Sequence, residues 1–307
     1  MTTRQDTDVL VIGEALIDIV ETPSGTTEHV GGSPTNVALG LGRLGVHCAL
    51  LTQLGHDRHG LMVAEHLRQS NVTVLPETLV LPQTSTAIAH VAADGQARYE
   101  FDVTWDAFPA PNVVPSRAVH TGSIGAFLQP GAESVQQLLR DSEAQIITFD
   151  PNIRPALMPS RDAARRIFET TATIVAAVKM SDEDAAWLYP DLGADAVIDA
   201  VLSLGPKLVA VTRGGEGAVI ATQDHLVEIT APTVSVVDTV GAGDTFMASL
   251  IQSLLGAGIP NDRGTLRDFG EDAVRAAAIT VSRAGADLPW ASETRAALLR
   301  ARSVPVD

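Results

Sequence analysis

The chain has 307 residues, a formal net charge of −16 and a pI near 4.8. Nucleic acid and anionic membranes bind basic surfaces, so this composition argues against both as partners. The single cysteine, Cys48, excludes an internal disulfide and a thiolate metal cluster, and no apolar run is long enough for a membrane helix.

The first apolar run, residues 9–12, starts too early in the chain to leave room for a secretory signal, so we expect a cytoplasmic protein. Of the 21 basic residues, only Lys179 and Lys207 are lysines. An anionic substrate must therefore be held mostly by arginine, by backbone amides or by a metal ion.

Strand-like and helix-like stretches alternate along the chain. The predicted strands are almost wholly apolar, as strands covered by helices on both faces must be. They are residues 9–12, 49–53, 118–121, 146–149, 174–178, 208–212 and 218–221. Residues 130–140 and 161–170 are predicted helices. This alternation predicts a single α/β domain over residues 1–307, with a doubly wound, mostly parallel sheet.

Two segments have the pattern of antiparallel hairpins instead. Residues 86–93 and 96–102 flank Asp94-Gly95, which is a strong hairpin turn, and residues 15–30 contain a short polar loop at Ser24-Gly25. We interpret segments of about 15–31 and 84–105 as one small β lid over the carboxyl ends of the main strands. The alternative is two unrelated edge hairpins.

Gly31-Gly32-Ser33-Pro34-Thr35-Asn36 is the first glycine-rich motif. Two glycines let a ligand approach the backbone, and Ser33-Pro34 is typical of a helix start with Ser as its N-cap. Asn36 offers a donor and an acceptor to hydroxyl groups, and Asp18, beyond the first strand, could accept two hydroxyl hydrogen bonds. Taken singly, Asp18 and Asn36 are equally well explained as turn residues.

Other patterns suggest sites that their context does not support. Gly40-Leu-Gly-Arg-Leu-Gly45 matches a dinucleotide-binding fingerprint, but it ends a predicted helix instead of opening one, so it indicates close packing and a C-cap. Lys179 lies in a run that resembles the strand lysine of protein kinases, yet their catalytic loop is absent, and so is a P-loop. His56 and His59 have no third ligand in the sequence and are interpreted as solvated loop residues.

Two further loops follow predicted strands, where ligands bind in open α/β sheets. Asp150-Pro-Asn-Ile-Arg154 ends in an arginine that suits a phosphate or a carboxylate, although a surface arginine needs no such role. The glycines of Thr212-Arg-Gly-Gly-Glu-Gly217 permit close approach of a ligand to the backbone, and a tight hairpin is compatible with the same residues.

Asp238-Thr-Val-Gly-Ala-Gly-Asp-Thr-Phe-Met247 is the most informative segment. Residues 234–237 are expected to end a strand, and apolar residues after 245 recur at helical spacing up to Gly256 and Gly258. Free N–H groups at Ala242, Gly243 and Asp244 would then form an anion site at the positive end of a helix. The alternative from this segment alone is that Asp244 caps an ordinary helix.

Together these motifs resemble the ribokinase-type (PfkB) sugar kinase family over essentially the whole chain. Gly31-Gly32…Asn36 is similar to its amino-terminal signature, and residues 238–244 are similar to its carboxy-terminal one. The resemblance implies an α/β domain with a β lid and ATP-dependent phosphorylation of a sugar or nucleoside hydroxyl, with Mg²⁺ and K⁺ as cofactors. It also implies possible pairing of two lids in a homodimer, with no nucleic acid or membrane partner.

The resemblance assigns roles to individual residues. Asp244 becomes the base, and the amides of Gly241, Ala242 and Gly243 form an anion hole. Asp18, Gly32 and Asn36 contact the sugar, Thr212, Gly214 and Gly217 line the nucleotide site, where we also place Lys179, and a monovalent-cation site is formed by Asp238, Val240, Thr280, Arg283 and Gly285. The family's Asn-x-x-Glu falls on Ser181-Asp-Glu-Asp184, so Asp184 would reach Mg²⁺ through an added water.

The sequence favours one branch of this family. Asp150-Pro-Asn-Ile-Arg-Pro and Gly285-Ala-Asp-Leu-Pro-Trp290 look most like fructokinases. A 2-keto-3-deoxygluconate kinase is the nearest alternative, in which Arg98 or Arg154 would meet the substrate carboxylate, followed by ribokinase or a nucleoside kinase. A regulator that binds sugar or nucleotide without turnover belongs to another class, and an intact Asp244 argues against it.

Overall fold

The computed structural model describes residues 7–75, 79–92, 96–108 and 115–302. In chain order its strands are β1 (Thr7–Ile12), β2 (Leu16–Thr22), β3 (Gly25–Gly31), β4 (Cys48–Leu51), β5 (Gln53–Gly55), β6 (Val72–Val74), β7 (Leu79–Leu81), β8 (Thr86–Val91), β9 (Ala97–Asp102), β10 (Ser116–Gly122), β11 (Ile146–Asp150), β12 (Ala177–Ser181), β13 (Leu208–Thr212), β14 (Ala218–Ala221) and β15 (Leu226–Ile229).

The helices are α1 (Ser33–Arg43), α2 (Arg58–Gln69), α3 (Ser123–Phe127), α4 (Gly131–Asp141), α5 (Arg161–Ala172), α6 (Asp182–Leu188), α7 (Ala194–Leu204), α8 (Ala242–Ala257), α9 (Arg263–Val281) and α10 (Ala291–Arg302). Short 3₁₀ turns lie at Pro155–Leu157 and Gly214–Glu216. None of the described helices is both long and apolar enough to cross a membrane.

Nine of the described strands form one sheet in the order β15-β14-β13-β12-β11-β10-β1-β4-β6. The strands from β6 to β13 are parallel, and β13, β14 and β15 pair antiparallel at the other edge. One face packs on α1, α8 and α9, and the other packs on α4 to α7. The predicted doubly wound, mostly parallel sheet is confirmed.

A separate sheet of four described strands has the order β3-β2-β8-β9. The two predicted hairpins form it: β2 pairs antiparallel with β3, β8 pairs antiparallel with β9, and β2 joins β8 in parallel. We call this sheet the lid. The turn expected at Asp94-Gly95 lies outside the described residues.

Three strand predictions differ from the structure. The strand expected at 174–178 is β12, three residues later, because the amides of Ile174 and Val175 bond back to the end of α5. The run 49–53 divides into β4 and β5, and β5 pairs with β7 instead of the main sheet. The strand end expected at 234–237 is wrong.

The error at residues 234–237 has a clear cause in the structure. Val236 and Val237 are more than 60% exposed, so this β-branched run crosses the surface and does not enter a sheet. The amides of Val237 and Asp238 donate to the carbonyl of Val281, at the end of α9. The segment before α8 is therefore held by hydrogen bonds to the end of α9.

Candidate active site

A cavity of about 280 Å³ lies between the lid and the carboxyl ends of β1 and β10. These two strands are neighbours, but the chain continues from β1 to one side of the sheet and from β10 to the other. Ligands of open α/β sheets bind at such a switch point. The cavity is lined by Glu14, Leu16, Asp18, Gly32, Ser33, Asn36, Ala87, Phe101, Ser123, Ile124, Asn152, Arg154, Lys179, Thr239, Val240, Gly241, Gly243 and Asp244.

Asp244 lies in the first turn of α8 and is buried in the cavity wall. Ser33 Oγ donates to its Oδ1 over 2.6 Å, and Asn36 Nδ2 donates to its Oδ2 over 2.8 Å. The N-cap of α8 is Gly241, so the simple capping role for Asp244 is ruled out. Two neutral donors fix the carboxylate without neutralising it, which leaves it able to accept a proton.

The donors to Asp244 both come from α1, and this changes the role expected for Ser33. The N-cap of α1 is Gly32, with φ of +99°, and Ser33 is the first helical residue. Its hydroxyl is therefore directed to Asp244 and caps nothing. Gly32 cannot be replaced without strain, because an added Cβ would lie 2.6 Å from the carbonyl oxygen of Glu14.

The amides at the start of α8 are only partly placed as the sequence predicts. Gly241 and Gly243 line the cavity, and first-turn amides of a helix have no partner within the helix. The amide of Ala242 donates to the carbonyl of Thr239 over a long 3.3 Å, and this residue does not line the cavity.

Lys179 lies on β12, and its ammonium group lies beneath the start of α8. Its Nζ is 2.8 Å from Oδ2 of Asp150, and a Cβ added to Gly243 would lie 2.8 Å from the same Nζ. Burial lowers the pKa of Lys179, but the carboxylates of Asp150, Asp184 and Asp244 outweigh it and raise the pKa above its ordinary value. The cavity wall therefore contains a permanent positive charge beside the predicted anion hole.

Asp150 is the direct partner of this lysine and is fully buried. Burial raises the pKa of Asp150 to about 6, against the attraction of Lys179. Its other oxygen accepts the amide of Asn152, which follows at the carboxyl end of β11. The ammonium of Lys179 and the amide of Asn152 thus contact the two oxygens of this carboxyl.

Asp184 has a role in the structure that the sequence did not predict. It forms a capping box with Ser181 at the start of α6, and its Oδ1 accepts the amide of Ile153 over 2.8 Å. Both carboxylate oxygens of Asp184 thus accept backbone amides, and the residue does not line the cavity. Contact with Mg²⁺ through water stays a prediction.

The predicted sugar residues Asp18, Gly32, Asn36 and Arg154 all line the cavity, but Arg98 does not. Arg98 is exposed on β9, opposite His90, and lines a hollow on the lid surface with Glu21. Burial raises the pKa of Asp18, with Arg154 and His29 acting in the opposite direction. Arg154 donates to Asn152 Oδ1 over 2.7 Å.

Apart from Lys179 on β12, the residues predicted for the nucleotide lie at the end of β13 and in the loop after it. Thr212 ends that strand, and Gly214, with φ of +51°, has open space around its α-carbon. Gly217 is different, because a Cβ there would lie 1.9 Å from the carbonyl oxygen of Ile229. Close packing of the backbone accounts for this glycine.

The predicted monovalent-cation residues come from the loop before α8, the last turn of α9 and the loop that follows α9. Asp238 joins the two loops, because its carboxylate accepts the amides of Val240 and Gly285 over 3.0 and 2.9 Å. Thr280 is buried with its hydroxyl against that of Thr245, and Arg283 pairs with Glu293. Both oxygens of Asp238 thus accept backbone amides, and binding of a monovalent cation at these loops stays a prediction.

Glu14 is a cavity residue that the sequence reasoning missed. It follows β1 just as Asp150 ends β11, so its position at the carboxyl end of a strand was the available signal. Its Oε2 accepts the amide of Gly125 over 2.8 Å. Burial raises the pKa of Glu14 to about 7. The hydrogen-bond donors around the carboxyl and the charge of Arg154 lower the pKa, but by less.

This raised pKa predicts a pH-dependent effect of Glu14→Gln on stability. The carboxyl of Glu14 has a pKa near 7 in the folded protein and near 4.5 in the unfolded chain. It therefore lowers the stability of the protein as pH rises from about 4.5 to 7, whereas a glutamine has no such effect. The difference in unfolding free energy, Glu14→Gln minus wild type, should therefore rise by about 2 kcal/mol from pH 5 to pH 8.

Urea denaturation of both proteins at each pH measures this difference, in which all other titrating groups cancel. A difference that does not change between pH 5 and 8 would show that Glu14 titrates normally.

Three comparisons with known proteins agree with this geometry. The family model described as pfkB family carbohydrate kinase matches residues 6–293. A fructokinase from Rhizobium leguminosarum bv. trifolii is 35% identical over 262 residues, which cover 80% of this chain and 79% of that protein. A fructokinase from Klebsiella pneumoniae is 29% identical, with coverage of 84% and 88%.

Solved structures show the same fold. A fructokinase from Vibrio cholerae O395, in a form with fructose, ADP and calcium ion bound, superposes with a TM-score of 0.85 at 24% identity, and covers 95% of this chain and 99% of that one. An aminoimidazole riboside kinase from Salmonella enterica gives 0.81 at 22% identity, with coverage of 95% and 100%. The chain belongs to the pfkB family of carbohydrate kinases.

Proposed function

We propose that the protein is an ATP-dependent fructokinase, which transfers the γ-phosphoryl group of ATP to a hydroxyl of fructose. The observation that carries the kinase function is the buried Asp244 carboxylate, which shares one cavity with Lys179 and the start of α8. The choice of fructose is supported by the Rhizobium fructokinase at 35% identity.

Asp244 is proposed as the general base. As the sugar oxygen bonds to the γ-phosphorus, its proton passes to the carboxylate, and the bond from phosphorus to the β–γ bridging oxygen breaks to leave ADP. Ser33 and Asn36 hold the carboxylate in place through both oxygens, so the base is aligned before the sugar arrives. Asp18, Gly32, Asn36 and Arg154 are proposed to hold the sugar; Arg98 is left out because it lies outside the cavity.

Phosphoryl transfer depends mainly on alignment and on charges placed where negative charge develops. The amides of Gly241 and Gly243 are proposed to face the transferring group at the positive end of α8, and Ala242 is left out because its amide donates to Thr239 and it does not line the cavity. Lys179 adds a full charge next to Gly243, so we place its contact at the phosphoryl group, with Thr212, Gly214 and Gly217 at the rest of the nucleotide.

Cations and the lid complete the proposal. Mg²⁺ bound with ATP supplies charge neutralisation on the phosphates, and Asp184 would meet it only through water because both of its oxygens hold amides. K⁺ would be held by the two loops that Asp238 joins. Closure of the lid would exclude water, which otherwise competes as acceptor.

A substitution at Gly243 tests where Lys179 acts. In Gly243→Ala the new methyl meets Nζ of Lys179, whereas alanine favours a helix over glycine by up to about 1 kcal/mol. We expect the variant to fold but to lose at least about tenfold in kcat, because Nζ of Lys179 must shift to make room for the methyl. Gly256→Ala, with open space around its α-carbon, is the matched control on the same helix.

The proposed function is tested by ADP release with fructose, ribose, 2-keto-3-deoxygluconate and adenosine, each with and without K⁺. Fructose should give the highest kcat/KM. Higher values with one of the others would assign the protein to that branch of the family. Binding of sugar and ATP without turnover on any of them would favour a regulator.

The lid is also proposed to pair with a second copy of the chain. Tyr99 on β9 is 64% exposed, beside the surface hollow that contains Arg98 and His90. Light scattering of the purified protein measures the mass directly, and a monomer at micromolar concentration would contradict the pairing.

A further inference from the structure

Glu14 is a cavity residue for which the proposed mechanism has no role. It follows β1 at the switch point between β1 and β10, where the ligand crevice of such sheets lies. It lines the same cavity as Asp18, Asn36 and Asp244, and only 2% of the residue is exposed. A carboxyl at this depth needs an explanation, because burial without partners disfavours it.

The hydrogen bonds of Glu14 account for all but one of its oxygens. Its backbone carbonyl accepts the hydroxyl of Thr35 over 3.0 Å, and Oε2 accepts the amide of Gly125 over 2.8 Å. Oε1 is shut off from solvent and has no hydrogen-bond partner among the described residues. Buried polar atoms are satisfied in nearly all cases, so this oxygen is an exception that indicates a missing partner.

Neither a cation nor a serine supplies that partner. Arg154 influences the carboxyl only through space, and its Nη1 donates to Asn152. The Ser123 hydroxyl acts as a hydrogen-bond donor toward the carboxyl and lowers its pKa, but it does not meet the geometry of a hydrogen bond to Oε1. Burial is the main cause of the raised pKa of Glu14, and the hydrogen bonds and Arg154 offset it only in part.

The surroundings of Glu14 keep the carboxyl in one place. An added Cβ on Gly125 would lie 3.2 Å from Oε2, and one on Gly32 would lie 2.6 Å from the Glu14 carbonyl oxygen. Gly125 thus leaves room for the side chain of Glu14, and Gly32 leaves room for its backbone carbonyl. A side chain needed only to hold Gly125 would have no use for a second carboxyl oxygen.

We propose that Glu14 is a sugar-binding residue whose Oε1 pairs with one hydroxyl of the acceptor sugar. Asp244 takes the proton of the reacting hydroxyl, so the hydroxyl that meets Glu14 is one that is not phosphorylated. A buried site built to pair with a hydroxyl rejects ligands that lack it, because its polar group is then left without a partner. Glu14 is therefore a specificity residue for the hydroxyl pattern of the sugar.

This inference rests on the proposed fructokinase activity, so the test uses fructose and analogues that each lack one hydroxyl. Measure kcat/KM for wild type, Glu14→Ala and Glu14→Gln with every sugar. With fructose, Glu14→Ala should lose about 10- to 100-fold. With the one analogue that lacks the paired hydroxyl, wild type should fall by a similar factor and Glu14→Ala should fall no further.

The pattern across analogues separates binding from a role in folding alone. An equal loss with fructose and with every analogue, or no loss at all, would overturn the assignment. If Glu14→Ala does not fold, Glu14→Gln decides in the same way: its amide oxygen can still accept from Gly125, and its change in kcat/KM should be confined to sugars that carry the paired hydroxyl.

Two controls complete the design. Glu183→Gln removes an exposed carboxylate and should match the wild type with all sugars. Fructose phosphorylation by the wild type tests the proposed function separately. A wild type that does not phosphorylate fructose contradicts that function, whereas an active wild type with a uniform loss in Glu14→Ala contradicts only the role of Glu14.

Discussion

Asp244→Asn is expected to fold and to bind sugar but to lose at least about a hundredfold in kcat, the usual scale for loss of a general base. The amide has the shape of the carboxylate, and the Ser33 hydroxyl can accept from its N–H₂ while Asn36 donates to its oxygen. The proton acceptor is thus removed while the contacts around it remain. Steady-state kinetics and calorimetric sugar binding measure the two effects.

The control for this substitution is Asp182→Asn, which changes an exposed aspartate in the first turn of α6. It should leave kcat and the unfolding midpoint unchanged. Turnover by Asp244→Asn within a few-fold of the wild type would contradict the role of Asp244 as base.

Lys179→Met is expected to lose both stability and turnover. It leaves Asp150 buried without its cation, and breaking a buried pair in this way costs about 3–5 kcal/mol of unfolding free energy. It also removes the positive charge next to Gly243, which should lower kcat by about a hundredfold or more. Urea denaturation and kinetics measure the two losses separately.

The double variant Lys179→Met, Asp150→Asn distinguishes the two roles. Because both charges of the pair are gone, it should recover most of the lost stability. Its kcat should stay low, since the ammonium group is still missing. Recovery of kcat together with stability would mean that Lys179 serves only the fold, and Lys207→Met, at the exposed lysine, should change neither property.

The alternation of apolar runs was enough to predict the sheet, because buried parallel strands leave a strong local pattern. β13 and β14 occur where the sequence places them, and both lid hairpins form as expected. Residues 234–237 have the same local pattern but cross the surface. A β-branched run becomes a strand only if another strand lies beside it, and the local sequence does not contain that information. The error at residues 234–237 therefore could not be avoided from the local pattern.

The site was predictable where a motif covers several adjacent residues and was missed where the contact is long-range. Ser33 has the local signature of an N-cap, and its bond to Asp244 is decided by the packing of α1 on α8. Asp184 has the spacing of a metal-site motif, yet its oxygens hold two backbone segments. Glu14 has no motif, and its side chain accepts the amide of Gly125, which is far away in the sequence.

The junction between the lid and α1 has a consequence for the fidelity of the enzyme. Strand β3 runs into α1 with only Gly32 between them, and α1 carries both groups that align Asp244. The proposed closure of the lid would therefore act on the residue next to the helix that orients the proton acceptor. In a kinase coupled in this way, binding of the sugar would close the lid and align Asp244 in the same step. We therefore expect little hydrolysis of ATP in the absence of sugar.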